Sequence, residues 1–162
     1  MKDLTIIPPI GELLDREHVK IEKGRVVHKY KLDNRFANRN NVITGGILST
    51  ALDMLCGHAL HTMHDNKHAT IELKTIFLAS AYPGVFYGEG NVVKIGKSIG
   101  FAESILRNEN EEEVAAASAT FRIFSQYYLI LLWSHLSILI YKFYPKLFLE
   151  VCFHVNHNIQ VF

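Results

Sequence analysis

The sequence predicts an α+β fold in which an antiparallel β-sheet wraps around one long central helix. Two observations carry that expectation. Residues 45–63 are the one long stretch that is apolar almost all round at helical spacing. The segments on either side of it are short, strand-like and divided by turn residues.

The chain starts with Pro8-Pro9 as punctuation, and residues 10–14 can begin a short helix. Residues 18–22 and 25–32 flank Lys23-Gly24 and form a β-hairpin, the second arm alternating well. Residues 33–43 are rich in Asn and Arg, have no periodicity, and make a loop. In the long helix, Ile47, Leu48, Ala51, Leu52, Met54, Leu55, Ala59 and Leu60 leave only one narrow line of small and polar residues: Gly46, Ser49/Thr50, Asp53 and Gly57. Such a line on a buried helix requires a special neighbour. Strands then follow at 69–78, 85–95, 98–108 and 113–124, joined at Pro83-Gly84, Gly96-Lys97 and Asn108-Glu109-Asn110. That order predicts a four-stranded antiparallel meander after the helix.

At 162 residues the chain has room for one domain with a proper core, placed at 1–125. A net charge of +1, from 17 Lys+Arg against 16 Asp+Glu, gives no electrostatic case for nucleic acid or an acidic membrane surface. Cys56 and Cys152 form neither a CxxC pair nor a Cys/His ligand set, which predicts a reducing, cytoplasmic setting, with the mitochondrion as the alternative. The first residues read as neither a signal peptide nor a typical transit peptide. Residues 126–162 form a hydrophobic C-terminal segment of a different character. Its run from Tyr127 to Tyr141 is apolar apart from Ser134, His135 and Ser137, and is shorter than the roughly 20 residues a bilayer demands. It reads as a membrane anchor, a partner-binding helix or text not selected for this fold; the third is favoured, so no function is argued from it.

The stretch Asn38-Arg39-Asn40-Asn41-Val42-Ile43-Thr44-Gly45-Gly46, followed by a helix carrying Asp53, resembles the signature of PaaI-like hotdog thioesterases. Gly57-His58-Ala59, Thr70-Ile71-Glu72-Leu73, Gly96-Lys97-Ser98 and residues 115–121 continue the likeness in order, over about residues 10–125. One position departs: Thr44 stands where that family usually has His or Gln.

The resemblance implies a hotdog fold and an acyl-CoA thioesterase, needing no cofactor beyond the CoA of its substrate. It also implies a homodimer, paired further into a homotetramer. Thioester hydrolysis needs an activated water or an attacking carboxylate, and stabilisation of the oxyanion that forms. The resemblance gives the first task to Asp53, as general base or nucleophile, across a subunit interface from the Gly-Gly turn. The second goes to the Gly45 N–H, at a helix start where such donors are unpaired. Asn38 would orient the water or the carbonyl, and Thr70 would hold the water or Asp53. Lys94, Gly96, Lys97, Ser98 and Ile99 match the nucleotide-contacting turn, with Arg122 a weaker phosphate candidate, and Phe77 would line the acyl or pantetheine channel.

Each residue also has a plainer reading. Gly45-Gly46 permits a tight entry into a helix, Thr70 is a good strand former, Lys97 a solvated turn residue and Asn38 a turn residue. Asp53, flanked by Leu52 and Met54-Leu55, is the one whose neighbours argue against simple solvation. His58, His61, His64 and His68 suggest a metal, but no acid or cysteine completes the set, and none is expected. A hotdog dehydratase is disfavoured; the alternative kept, because of Thr44, is a catalytically weakened acyl-CoA-binding protein.

Overall fold

The computed structural model describes residues 3–124. The three readings of residues 126–162 fall outside the described residues, as does the membrane contact that one of them implies. Among the described residues, no helix is long and apolar enough to cross a membrane.

The elements run α1 (Pro9–Leu13), β1 (Glu17–Glu22), β2 (Arg25–Leu32), a 3-10 turn (Asn34–Phe36), α2 (Gly45–His61), β3 (Lys67–Phe77), β4 (Gly84–Ile95), β5 (Ile99–Asn108) and β6 (Glu113–Phe124). The segment expected to be a loop carries the 3-10 turn because Asp33 accepts a hydrogen bond from the Arg35 N–H at 2.9 Å. The six strands form one antiparallel sheet in the order β1-β2-β4-β5-β6-β3, and α2 packs across it. This is the hotdog arrangement.

The expected four-stranded meander is corrected by the strand order. Only β4, β5 and β6 run as a meander; β3 crosses to the far edge and pairs with β6. Residues 78–83 hold no two-residue hairpin turn, and Pro83 has no N–H to give a ladder. Instead Leu78 and Ala79 both donate to Val114 O, at 2.9 and 3.3 Å, which ties the end of β3 to the start of β6. Ala81 is buried and its carbonyl accepts from the Ile43 N–H at 2.7 Å, so the crossing segment also fixes the loop that leads into α2.

The core follows from two periodicities. In β2, Val26, His28, Tyr30 and Leu32 are all buried on one face. In α2, Leu48, Ala51, Leu52, Leu55, Cys56, Ala59 and Leu60 form the buried face, while Gly46, Ser49, Thr50, Asp53 and Gly57 stay half-buried or exposed on the other. The line of small and polar residues is therefore the open side of the helix.

Two glycines of β4 set how closely α2 approaches the sheet. A Cβ at Gly88 would come within 2.5 Å of Leu55 Cδ1, and one at Gly90 would run into the Leu55 backbone carbonyl. The second contact is with main chain, which cannot swing aside. Gly90→Ala should therefore cost about 1–3 kcal/mol of unfolding free energy. Gly84→Ala meets only an ordinary contact with Tyr82 O at 3.9 Å and should stay within about 0.5 kcal/mol of wild type. Urea titration of the two variants checks the difference; equal midpoints would remove the close-approach argument.

Candidate functional site

The site is built on α2. At its start, Thr44 is the N-cap residue, yet its side chain does not cap. Its hydroxyl donates to Phe36 O at 3.2 Å, and its own N–H donates to the same carbonyl at 3.0 Å. Its carbonyl takes the first helical bonds, from Ile47 at 3.0 Å and Leu48 at 3.3 Å. The N–H groups of Gly45 and Gly46 meet no protein acceptor among the described residues. Two donors at the positive end of a helix are thus unpaired, an arrangement suited to developing negative charge. The ring of Phe77, at the end of β3, lies over Gly45, and a Cβ there would sit 2.7 Å from Phe77 Cζ.

Asp53 lies eight residues further along α2, about 12 Å at 1.5 Å per residue. It is half-buried on the open face, and Thr70 Oγ1 donates to its Oδ1 at 2.9 Å. Thr70 belongs to β3, beside a break in register between Thr70 and Glu72. A bulge of this kind re-aims a side chain, and here it accompanies the contact with the helix. The expected pair Asp53–Thr70 is therefore in contact. Both line a pocket of about 410 Å³, together with Arg16, Gly57, His58 and Phe121.

The other expected residues fall into two groups. Asn38 is exposed, and its Oδ1 accepts from the N–H groups of Asn40 at 2.8 Å and Val42 at 3.4 Å, so its oxygen is spent on its own loop. Lys94 and Ile95 end β4, and Gly96, Lys97 and Ser98 form the exposed β4–β5 turn before Ile99. The turn is closed by the Gly96 N–H on Ile99 O at 2.8 Å. Ile99 pairs with Arg122, which pairs with Ala69 next to Thr70. The turn thus lies at the Thr70 end of the sheet, two strands away, roughly 10 Å. Gly45 and Phe77 are at the opposite end, where Phe77 pairs with Ala115.

The structure also assembles a group that sequence reasoning misses. His18 of β1, His28 of β2 and His58 of α2 meet with their rings 4.9–5.2 Å apart. Burial and the nearby Arg16 guanidinium drive the proton affinity of His28 down to about 2 and that of His58 to about 4, and lower that of His18. Arg16 is itself 6% exposed. The sequence holds one usable signal: the alternation that turns Val26 and Tyr30 inward does the same for His28. Of the histidines at 58, 61, 64 and 68, only His58 belongs to this group; His61, His64 and His68 form ring contacts of their own near Phe121.

Cys56 of α2 is not placed to act as a nucleophile. Its thiol is fully buried, donates to Ser104 Oγ at 3.2 Å, and is pushed up to about 12 by desolvation. A thiol without thiolate does not attack. In a Cys152→Ser chain, Cys56 should stay silent to a thiol reagent at pH 8 and react fully once guanidinium unfolds the protein. Rapid stoichiometric reaction of the native chain would contradict this.

Comparison with known proteins supports the fold. Residues 40–115 match the model of the thioesterase superfamily. A Saccharolobus solfataricus protein with a provisional esterase name is 36% identical over 91 residues, covering 56% of this chain and 65% of that protein. The match therefore spans just under two thirds of that relative's length. Among solved structures, the Escherichia coli PaaI protein of the phenylacetic acid degradation operon has a TM-score of 0.68 at 16% identity, over 71% of this chain and 83% of that one. A Streptococcus mutans protein bound to acetyl CoA has a TM-score of 0.65 at 22% identity, over 68% of this chain and 89% of that one. At these identities the structural likenesses speak for the fold alone. Residues 40–115 are thus similar in sequence to the thioesterase superfamily, and the fold is the hotdog fold that the PaaI protein also has.

Proposed function

We propose that the protein hydrolyses acyl-CoA thioesters, with Asp53 of one subunit acting opposite Gly45 of a second. The observation that carries this reading is the geometry of α2: a hydroxyl-held carboxylate and two unpaired amide donors on one helix, about 12 Å apart. That gap is too wide for one thioester carbonyl to meet both within a protomer. The midpoint between residues 45 and 53 is Ser49. If two copies of α2 cross antiparallel about a two-fold axis at Ser49, the Asp53 of each faces the Gly45 of the other. Ser49 and Thr50 are small, and their hydroxyls are folded back onto Gly45 O and Gly46 O, both at 2.9 Å, which suits a close crossing.

The edge strand supports the same assembly. β3 is an 11-residue edge carrying Ile71, Ile76 and Phe77, each more than half exposed. A long apolar edge of this sort invites pairing. Pairing with its own copy would cover those residues and place the two helices side by side. A further pairing of dimers into a tetramer is expected from the family likeness.

In the reaction, water attacks the acyl carbon while Asp53 takes its proton, and the carbonyl oxygen gathers charge against the Gly45 N–H. Collapse breaks the C–S bond; CoA leaves as thiolate, takes up the proton, and the free acid remains. Direct attack by the Asp53 carboxylate, followed by hydrolysis of the anhydride, gives the same products. The Asn38 amide is available to orient the water or the carbonyl. Lys94 and Lys97 flank a turn that offers backbone and ammonium groups to the CoA phosphates, and the acetyl CoA held by the Streptococcus mutans neighbour supports that substrate class. Phe77, over Gly45, would line the acyl or pantetheine path.

A second reading, acyl-CoA binding with little turnover, draws on Thr44, whose hydroxyl is committed to Phe36 O. A CoA-thioester panel separates the two. Asp53→Ala should lower kcat by about 10²–10⁴-fold with CoA binding retained. Thr70→Val, losing one hydrogen bond to a carboxylate, should lower it about tenfold to a hundredfold. A wild type as inert as Asp53→Ala, with CoA still bound, leaves the binding reading in place.

The subunit arrangement has its own test. Gly45→Pro removes the N–H at a helix position that accepts proline, and the exposed Phe77 ring can swing away from the added atoms. Asp53→Ala and Gly45→Pro chains, each inactive alone, should together recover roughly a quarter of wild-type activity by random pairing, since each mixed dimer has one intact site. No recovery on mixing would show that the site lies within one chain.

A further inference from the structure

We propose that His18, His28 and His58 form a metal-ion site, with Zn²⁺ the ion that the ligand set fits best. The site stands apart from the thioesterase reading and does not depend on it.

Three ring nitrogens converge. His58 Nδ1 lies 2.9 Å and His18 Nδ1 3.3 Å from His28 Nε2, and all the ligand atoms lie within 4.8 Å of one another. Four-coordinate zinc with bonds of about 2.0–2.1 Å sets its nitrogens about 3.3–3.4 Å apart. The His18–His28 separation of 3.3 Å is already at that value, and the His58–His28 separation of 2.9 Å is about 0.4–0.5 Å short of it. The third closes by side-chain movement of His18 or His58, both of which are only half-buried.

The proton inventory leads to the same place. A neutral imidazole carries one N–H. His18 Nε2 is 3.2 Å from Thr5 O, a carbonyl that can only accept, so its hydrogen points outward and its Nδ1 is a bare lone pair. The His58 ring is likewise hydrogen-bonded to the Leu4 backbone while its Nδ1 faces His28. His28 Nδ1 is 3.4 Å from the Tyr30 hydroxyl, which in turn donates to Ala51 O at 3.4 Å. Each ring is therefore oriented by a partner on its far nitrogen, as metal-bound histidines are. With the Tyr30 hydrogen spent on Ala51 O, His28 Nδ1 is the donor to that hydroxyl, so three ring lone pairs face one point, where a cation satisfies all of them.

The surroundings narrow the choice of ion. All-imidazole ligation suits zinc, copper or nickel and not the hard cations magnesium and calcium. Arg16 and burial disfavour a positive charge on the three rings, and ligation needs their neutral form. The guanidinium also opposes a bare dication, and a hydroxide or other anion in the coordination position left by three protein ligands would offset that. Structurally, the ion would clamp the β1–β2 hairpin to the C-terminal half of α2, with the Leu4–Thr5 segment held against the outer side of the rings.

The test uses the full chain, stripped with a chelator and reloaded with Zn²⁺ alone. We expect one zinc per protomer after gel filtration, and a visible absorption of tetrahedral intensity when Co²⁺ replaces it. His18→Gln and His58→Gln should each weaken zinc binding by at least the 10- to 100-fold that loss of an outer-shell partner costs. His64→Gln, outside the triad, should bind as wild type does. His28 is fully buried, and a substitution there would disturb the core, so the two half-buried ligands carry the test. Less than a tenth of an equivalent of zinc bound, or binding that survives His18→Gln but fails in His64→Gln, would overturn the assignment.

Discussion

The candidate groups that α2 carries depend on how low the helix sits on the sheet. Leu55 rests on Gly88 and Gly90 of β4, so closely that a methyl group at Gly90 would strike the helix main chain. The helix cannot be raised locally without lifting its whole length. Asp53 would then leave the Thr70 hydroxyl, and His58 would leave His28, contacts that hold at 2.9 Å each. The glycines of β4 act on the site through position alone, since neither touches a functional side chain.

The helix and most of the strands are legible in the sequence for a physical reason. Burial of one face writes itself into a period, and α2, β2 and β6 each show theirs. Asp53 is visible because it interrupts an oily helix on a line of small residues. The order of the strands is not legible. Whether β3 turns back on β4 or crosses to β6 is decided by backbone partners such as Val114 O, which leave no trace in side-chain pattern. The role of Asn38 shows a different gap: its residue type is equally good at holding a loop and at meeting a ligand, and the fold uses its oxygen for the loop. The histidine triad is the clearest case. Its members come from three elements and are separated by 10 and 30 residues in the chain, so only the folded sheet brings them together.

The open face of α2 explains why a site can exist on so apolar a helix. Seven residues of α2 are buried against the sheet, which satisfies the hydrophobic requirement from one side alone. The other side is free to carry Gly46, Ser49, Asp53 and Gly57 without opening the core. Ser49 and Thr50 return their hydroxyls to carbonyls of the preceding turn, so that stretch presents little unsatisfied polarity to a second surface. An interface can form over that stretch without burying stranded hydroxyl donors.

The same helix separates its chemical tasks by phase. Gly45 offers amides because it is at the end, where no preceding turn can accept them. Asp53 is mid-helix, where its carboxylate needs a partner from outside, and Thr70 provides one. His58 is five residues beyond Asp53, about 140° further round and roughly 7.5 Å along the axis. That rotation turns it toward the hairpin instead of toward the open face. Both groups still line one pocket, yet their hydrogen bonds share no atom. The backbone of α2, held by β4, is the covalent link between the imidazoles and the carboxylate.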